Sequence, residues 1–230
     1  MAGGARNPVY LARRSSEEFV VRVSGRPPES LEWELDLLDA LDAACVVVPR
    51  SVATDDGRSH DRGTLLQRLI TGGPPRDRRD WTRVVATLTT VHQVTPGWPQ
   101  RPGFATAYDL LHQTAGGDVR LDTMPEDVVA LIRDSWRPVA AGRQCAIHGD
   151  LGPGNVLMSE GQVALIDWDE ARVDVAAFDF AHLPSGVPVP VSCDRTAIVT
   201  AGVAWEAATC WLAEPDYAER RLTELRARAS

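Results

Sequence analysis

Lysine is absent from this sequence. All 24 basic residues are arginines, and with 32 acidic residues they leave a formal net charge of −8 over 230 residues. The arginine bias is most simply explained by a high-GC genome. The acidic balance argues against nucleic acid as the main partner and fits cationic small molecules better.

Cysteine is scarce, and no two cysteines have the C-x-x-C spacing of a redox or metal motif. The four cysteines are expected to be reduced and mostly buried in a cytoplasmic protein. The sequence predicts neither a signal peptide nor a membrane span. Its most apolar stretch, residues 196–213, contains Glu206 and is better explained as a buried helix. We therefore expect no membrane partner.

The N-terminal part of the sequence has the pattern of a small sheet with one helix. It predicts a helix over 30–44 and strands over 9–12, 19–23, 45–48 and 64–70. The glycines and prolines at 72–75 mark a predicted boundary between domain 1–70 and domain 71–230. The second domain is mainly helical, with helices predicted over 78–94, 105–113 and 125–140 and three more after residue 175. The predicted fold class is α+β.

The most informative segment is a glycine- and proline-rich loop between short apolar strands. It contains His148, Asp150 and Asn155, and Asp167 follows at the end of the next apolar strand. Asp150 and Asn155 are five residues apart, as in the protein-kinase catalytic loop H-R-D-L-x-x-x-N. Asp150 is suited to orient or deprotonate a substrate hydroxyl. The oxygens of Asn155 and Asp167 are suited to bind Mg²⁺ together with phosphate.

Plainer explanations exist for each residue taken alone. Asp150 or Asp167 by itself would be a turn or cap residue, and it is their order and spacing that favours catalysis. His148 would either bind a metal with Asp150 or hold the loop by hydrogen bonds, and the second role is favoured. His92, on an apolar helix face, is expected in the core. Asp179, flanked by apolar residues, is expected to be buried and to bond to backbone groups that brace the catalytic loop.

Arg22 and Glu34 are candidates for a cation held near phosphates. Arg22 lies within a predicted strand and Glu34 on the helix that follows, so the two can form an ion pair. An exposed strand arginine and a solvated glutamate would give the same pattern. Gly3 and Gly4, before Asn7, would let backbone N–H groups approach phosphates or would form a flexible terminus.

These motifs resemble the aminoglycoside phosphotransferase family, which includes choline kinases and other small-molecule kinases. The resemblance rests on residues 148–155, 166–171 and 179–181, and it extends more loosely over nearly the whole chain. It implies a two-lobed, protein-kinase-like fold with a small antiparallel sheet and one helix in the N-terminal lobe and a larger, mainly helical C-terminal lobe. The chain begins at the segment that resembles the nucleotide loop, so we expect the first strand of the small lobe to be absent or to be cut off by a misassigned start codon.

The resemblance also implies cofactors and roles. ATP is expected in the cleft between the lobes, with Asp150 as catalytic base, His148 in the catalytic motif, and Asn155 and Asp167 as Mg²⁺ ligands. Arg22 falls where the family usually has a lysine, with Glu34 as its partner. The nucleotide is expected to contact the segment with Gly3, Gly4 and Asn7, and adenine to contact backbone groups of the linker with Gln67 and Leu69.

The leading hypothesis is an enzyme that transfers the γ-phosphate of ATP to a hydroxyl of a small molecule, such as an aminoglycoside or amino alcohol. The alternative is a pseudokinase that binds a nucleotide or small ligand without turnover. A metal-dependent hydrolase would need ligands besides His148 and Asp150, which the sequence does not offer. Asp169, Glu170 and Asp174 would attract a cationic acceptor or be solvated loop charges. The sequence leaves open the acceptor, ATP versus GTP, and the oligomeric state.

Overall fold

The structure is a computed structural model that describes residues 7–159 and 161–229. The α-helices of the described residues are α1 (Pro28–Ala43), α2 (Arg78–Val94), α3 (Ala107–Leu110), α4 (Glu126–Ala140), α5 (Arg195–Thr209) and α6 (Pro215–Ala229). The strands are β1 (Val9–Arg14), β2 (Glu17–Val23), β3 (Thr64–Arg68), β4 (Ala115–Gly116), β5 (Val119–Arg120), β6 (Gln144–Ile147), β7 (Val156–Ser159), β8 (Gln162–Leu165) and β9 (Arg172–Val175). Within these described ranges, no helix combines the length and hydropathy that a membrane crossing requires.

The chain divides into two compact units. Unit 1 comprises Met1–Thr90 and Pro153–Glu170, and unit 2 comprises Val91–Gly152 and Ala171–Ser230. Each unit is therefore built from two separate stretches of the sequence. The predicted functional division into 1–70 and 71–230 stays a prediction.

Unit 1 is built on an antiparallel sheet in the order β1-β2-β3. Helix α1 begins at Pro28, whose fixed φ suits a first helical turn. Its residues Leu31 and Leu35 form a buried cluster with Leu65 of β3. The hairpin of β7 and β8 belongs to the same unit. Within residues 7–70, the predicted small antiparallel sheet with one helix is confirmed. Unit 1 also contains most of α2.

Unit 2 is mainly helical. Helix α5 packs against both α4 and α6, and the rings of Trp136 and Trp205 lie 5.5 Å apart in the core. Strands β6 and β9 form a two-stranded antiparallel ladder. The side-chain amide of Gln100 donates to the carbonyl of Val173 at 2.9 Å and accepts from its N–H at 3.0 Å. This amide therefore occupies the outer edge of β9.

The predicted strand over residues 45–48 is wrong. The segment forms only an isolated parallel bridge between Val47 and Ala164. Cys45 has a φ of +62°, so the chain changes direction directly after α1. Pro49 follows and has no N–H to donate to a ladder.

Two helix predictions are also corrected. The helix predicted over 105–113 is reduced to α3. Thr106 caps its start with Asp109, and after its end the N–H groups of Leu111 and His112 donate three residues back, to Tyr108 and Asp109, so the chain tightens and leaves the α-helical pattern. Instead of three helices after residue 175, the structure has a short 3-10 helix, Ala176–Phe180, followed by α5 and α6. Three prolines interrupt the segment between the 3-10 helix and α5: Pro184, Pro188 and Pro190.

The cysteines are only in part as predicted. All four are free thiols, and Cys145 and Cys210 are buried. Cys193 is partly exposed and Cys45 is exposed. The prediction that the cysteines are mostly buried is therefore correct for two of the four.

Candidate active site

The predicted catalytic loop begins directly after β6, in unit 2. Gly149 has a φ of +83°, a conformation that glycine adopts without strain, and Asp150 is exposed. His148 is fully buried, and its Nδ1 lies 3.4 Å from the backbone nitrogen of Asp150. The imidazole of His148 thus contacts the backbone of the loop that presents Asp150.

Asp179 holds this loop from the 3-10 helix of unit 2. Its carboxylate accepts hydrogen bonds from the backbone N–H groups of His148 and Gly149, both at 3.0 Å, and lies 2.8 Å from Nε2 of His92. Burial alone would raise the pKa of Asp179, but the hydrogen bond and charge of His92, the nearby His148 and the Gly149 N–H together hold it below its usual value. The predicted buried role of Asp179 in bracing the loop is confirmed, as is the core position of His92.

Asn155 and Asp167 lie at one end of the hairpin in unit 1. Asn155 immediately precedes β7 and Asp167 follows Ile166 at the end of β8. The Ile166 N–H donates to the Asn155 carbonyl at 3.0 Å, so the antiparallel pairing continues to this point. Asp167 is exposed and has a φ of +63°, which aspartate tolerates better than most residues. The hairpin thus brings the two predicted metal ligands to the same end.

Arg22 and Glu34 form a buried ion pair between β2 and α1. Burial would lower the pKa of Arg22, but the carboxylates of Glu34, Asp169 and Asp167 outweigh burial and raise it. Asp167 is therefore within electrostatic reach of the Arg22 guanidinium. Within the described part of the chain, the Nε of Arg22 is buried and has no hydrogen-bond partner.

The sequence missed the role of Arg26. Its Nη2 lies 3.0 Å from Oδ2 of Asp169 and 3.1 Å from Oε1 of Glu170.

Asp174, in β9, is fully buried and paired with Arg172 at 3.0 Å. Asp169 and Asp174 are buried and paired with arginines, so they are not solvated loop charges. Attraction of a cationic acceptor by these residues stays a prediction.

The remaining predicted residues lie in the first sheet or next to its strands. Gln67 is buried inside β3, where it pairs with Val20. Leu69 follows β3, and its N–H donates to the Glu18 carbonyl at 3.2 Å. Asn7 is partly exposed just before β1. Gly3 and Gly4 lie outside the described residues.

Residues 1–222 match the model of the phosphotransferase enzyme family. The chain belongs to this family. The family resemblance predicted from the motifs is confirmed, and membership supports the predicted transfer of phosphate.

Solved structures similar to this phosphotransferase are small-molecule kinases. A choline kinase from Streptococcus pneumoniae has 16% identity and a TM-score of 0.67, with 96% of this chain and 88% of that chain covered. A microcompartment-associated aminopropanol kinase has 18% identity and a TM-score of 0.68, with 98% of this chain and 88% of that chain covered. An amicoumacin kinase in complex with AMP-PNP and Ca²⁺ has 16% identity and a TM-score of 0.63, with 99% of this chain and 79% of that chain covered. These likenesses confirm the predicted kinase-like fold.

Proposed function

We propose that this phosphotransferase is a kinase that transfers the γ-phosphate of ATP, with Mg²⁺, to a hydroxyl of a small molecule. The observation that carries the proposal is the buried Arg22 guanidinium. Glu34 fixes one side of it, while its Nε has no partner among the described residues. A buried donor without a partner is costly, and a phosphate oxygen would satisfy it.

The donor groups at the hairpin end suit magnesium. Mg²⁺ prefers oxygen ligands and keeps several waters, so one carboxylate and one amide oxygen suffice when phosphates supply the rest. Asp167 and Asn155 offer these groups. In the described ranges, no cluster of three or more His, Cys, Asp or Glu residues could hold a metal ion. When bound, Mg²⁺ would neutralise charge on the transferred phosphate.

The catalytic work of the chain is then mainly positioning. Asp150 would accept the hydrogen bond of the acceptor hydroxyl and receive its proton as the hydroxyl oxygen bonds to the γ-phosphorus. The bond between the γ-phosphorus and the oxygen that bridges it to the β-phosphate breaks in the same transfer, and ADP leaves. Its loop is fixed by Asp179, and His148 would act through the loop backbone. Arg22 would donate to phosphate oxygens. Nucleotide contacts are assigned to the remaining predicted residues: Gly3, Gly4, Asn7, Gln67 and Leu69.

The acceptor is proposed to be a small, cationic alcohol used in the cytoplasm. Choline and aminopropanol, named for two of the similar kinases, are of this class. The net charge of −8 is compatible with it. Recognition of adenine through backbone groups would leave GTP as a second possible donor, so both nucleotides need to be assayed.

The test is phosphate transfer from ATP or GTP, with Mg²⁺, across amino alcohols, aminoglycosides and sugars. We expect transfer to at least one class and a loss of about 10²- to 10⁴-fold in turnover with Asp150→Asn. The matched control is Asp134→Asn at an exposed position, which should retain full activity. Nucleotide binding without transfer to any acceptor would instead favour the pseudokinase, and absence of both in folded protein would overturn the proposal.

A further inference from the structure

Unit 1 contains a cavity away from the residues assigned to phosphate transfer. Its volume is about 380 Å³. It is bounded by the segment that follows α1, one face of α2 and the start of β8. Its lining includes Cys45, Val46, Arg83, Ala86, Thr87 and Val163. Pockets for small molecules begin at about this size.

One positive charge faces this cavity. Arg83 is the cationic residue of the lining, and no described lining residue is acidic. A side-chain carbon added at Gly161 would lie 3.9 Å from Nη2 of Arg83, which places the guanidinium beside the β7–β8 turn. Among the described residues, no hydrogen bond or ion pair engages the Arg83 guanidinium. It therefore retains its planar set of donors for a carboxylate.

The two threonine hydroxyls that α2 contributes to the lining are already engaged. Thr87 donates to the backbone carbonyl of Arg83 at 3.1 Å and Thr90 to that of Ala86 at 3.3 Å, so their protons are used within α2. Arg83 is thus the charged donor of the described lining, and the side-chain amide of Gln162 is a neutral one. A ligand held by Arg83 needs one negative charge, and a second negative charge would find no cation in the lining.

Apolar side chains form part of the remaining lining, beside the neutral polar residues Thr90 and Gln162. Val46 and Val163 are almost entirely buried, and Ala86 is exposed on α2. The apolar part of the lining favours contact with a ring or chain, because transfer of apolar surface out of water is favourable. The described lining therefore combines one cation with apolar and neutral polar groups.

We propose that this cavity is a second ligand site, which binds a small organic monoanion, such as an aromatic carboxylate. The carboxylate pairs with Arg83 and the apolar part lies against Val46 and Val163. The site is independent of the transfer reaction. It would exist in an active kinase and in a pseudokinase alike.

Binding of benzoate tests the proposal directly. Benzoate, benzamide and acetate are titrated into the protein by ligand-observed NMR, so that charge and ring are varied separately. We expect benzoate to bind best and Arg83→Gln to weaken it by about tenfold or more, as expected for loss of a charge-assisted pair. The control Arg79→Gln removes an exposed arginine one turn earlier on α2 and should leave binding unchanged.

Protection of Cys45 locates the site. Cys45 lines the cavity and is exposed, so alkylation by iodoacetamide is measured in a Cys193→Ser background, where the other two thiols are buried. Benzoate should slow alkylation, and Arg83→Gln or the cavity-filling Ala86→Phe should abolish this protection. The proposal is overturned if benzamide or acetate binds as tightly as benzoate. It is also overturned if benzoate still binds with unchanged affinity to both Arg83→Gln and Ala86→Phe. These outcomes do not depend on ATP turnover.

Discussion

Asp179 and His92 lie 2.8 Å apart, carboxylate oxygen to Nε2, although 87 positions separate them in the sequence. The His92 ring also packs edge-on against Phe180, with ring centroids 5.5 Å apart. This imidazole therefore orients the carboxylate whose oxygens hold the backbone N–H groups of the catalytic loop. We call this arrangement of His92 and Asp179 the loop brace.

Substitution of Asp179 by Asn should weaken the loop brace. The amide of Asn has one acceptor oxygen, so one of the two backbone N–H groups in the loop, that of buried His148 or partly buried Gly149, loses its partner. We expect the free energy of unfolding to fall by about 2–3 kcal/mol. Turnover should fall as well, because the loop presents Asp150. Urea unfolding and steady-state kinetics measure the two effects.

The matched control for this prediction is Asp134→Asn. Asp134 is exposed and pairs with Arg137 within one turn of α4, a type of pair that contributes less than about 1 kcal/mol. If Asp179→Asn unfolds at the same urea concentration as Asp134→Asn, the loop brace does not stabilise the protein.

Stability should also depend on pH through Asp179. Its pKa is lowered in the folded protein, so the carboxylate contributes stability above the unfolded pKa of about 3.9, and this contribution is lost as the pH falls through the folded pKa. The difference in unfolding free energy between wild type and Asp179→Asn should therefore be largest above about pH 4 and shrink below it. Urea titrations at a series of pH values give this difference, and a gap that widens on acidification would contradict the prediction.

Removal of Glu34 should affect both stability and nucleotide binding. In Glu34→Ala, the buried guanidinium of Arg22 loses its ion-pair partner, which typically costs about 3–5 kcal/mol. Arg22 is then also free to adopt other rotamers, so the KM for ATP should rise. The control is Glu17→Ala, which breaks an exposed ion pair with Arg68. Equal effects of the two substitutions on unfolding would show that the Arg22–Glu34 pair has no special role.

Arg26 should position the segment that follows Asp167. It binds the carboxylates of Asp169 and Glu170, two and three residues further on. Arg26→Gln releases this segment and leaves both carboxylates without that cation, so we expect lower turnover and an altered Mg²⁺ requirement. Arg50→Gln removes an exposed arginine paired with Asp42 and serves as the control. An unchanged Mg²⁺ titration of turnover would argue against a positioning role for Arg26.

The positions of residues within short segments could be predicted from the sequence, while the roles assigned to them stay predictions. Asp150 lies in the loop after β6, and Asn155 and Asp167 flank the hairpin of β7 and β8, so each placement is set locally. Asp179 could be predicted because an aspartate between Phe178 and Phe180 is carried into the core, where it must find hydrogen-bond donors.

Pairs that depend on tertiary packing could not be predicted. Arg26 and Asp169 are 143 positions apart, and no local pattern relates them. Strand β9 alternates polar and apolar residues, which suggests a solvent-facing side, yet all four of its residues are buried. Arg172 is accommodated there because its guanidinium lies 3.5 Å from the ring centroid of Trp205 and pairs with Asp174.

Gln100 takes the place of a neighbouring strand at the outer edge of β9. Backbone N–H and C=O groups need hydrogen-bond partners once they are buried, and all four residues of β9 are buried. Gln100 engages both groups of Val173. Gln100→Glu would replace the amide donor by a second acceptor and leave the Val173 carbonyl without that donor. The outer hydrogen bonds of the two-stranded ladder at Val173 are therefore supplied by a side chain from outside the sheet.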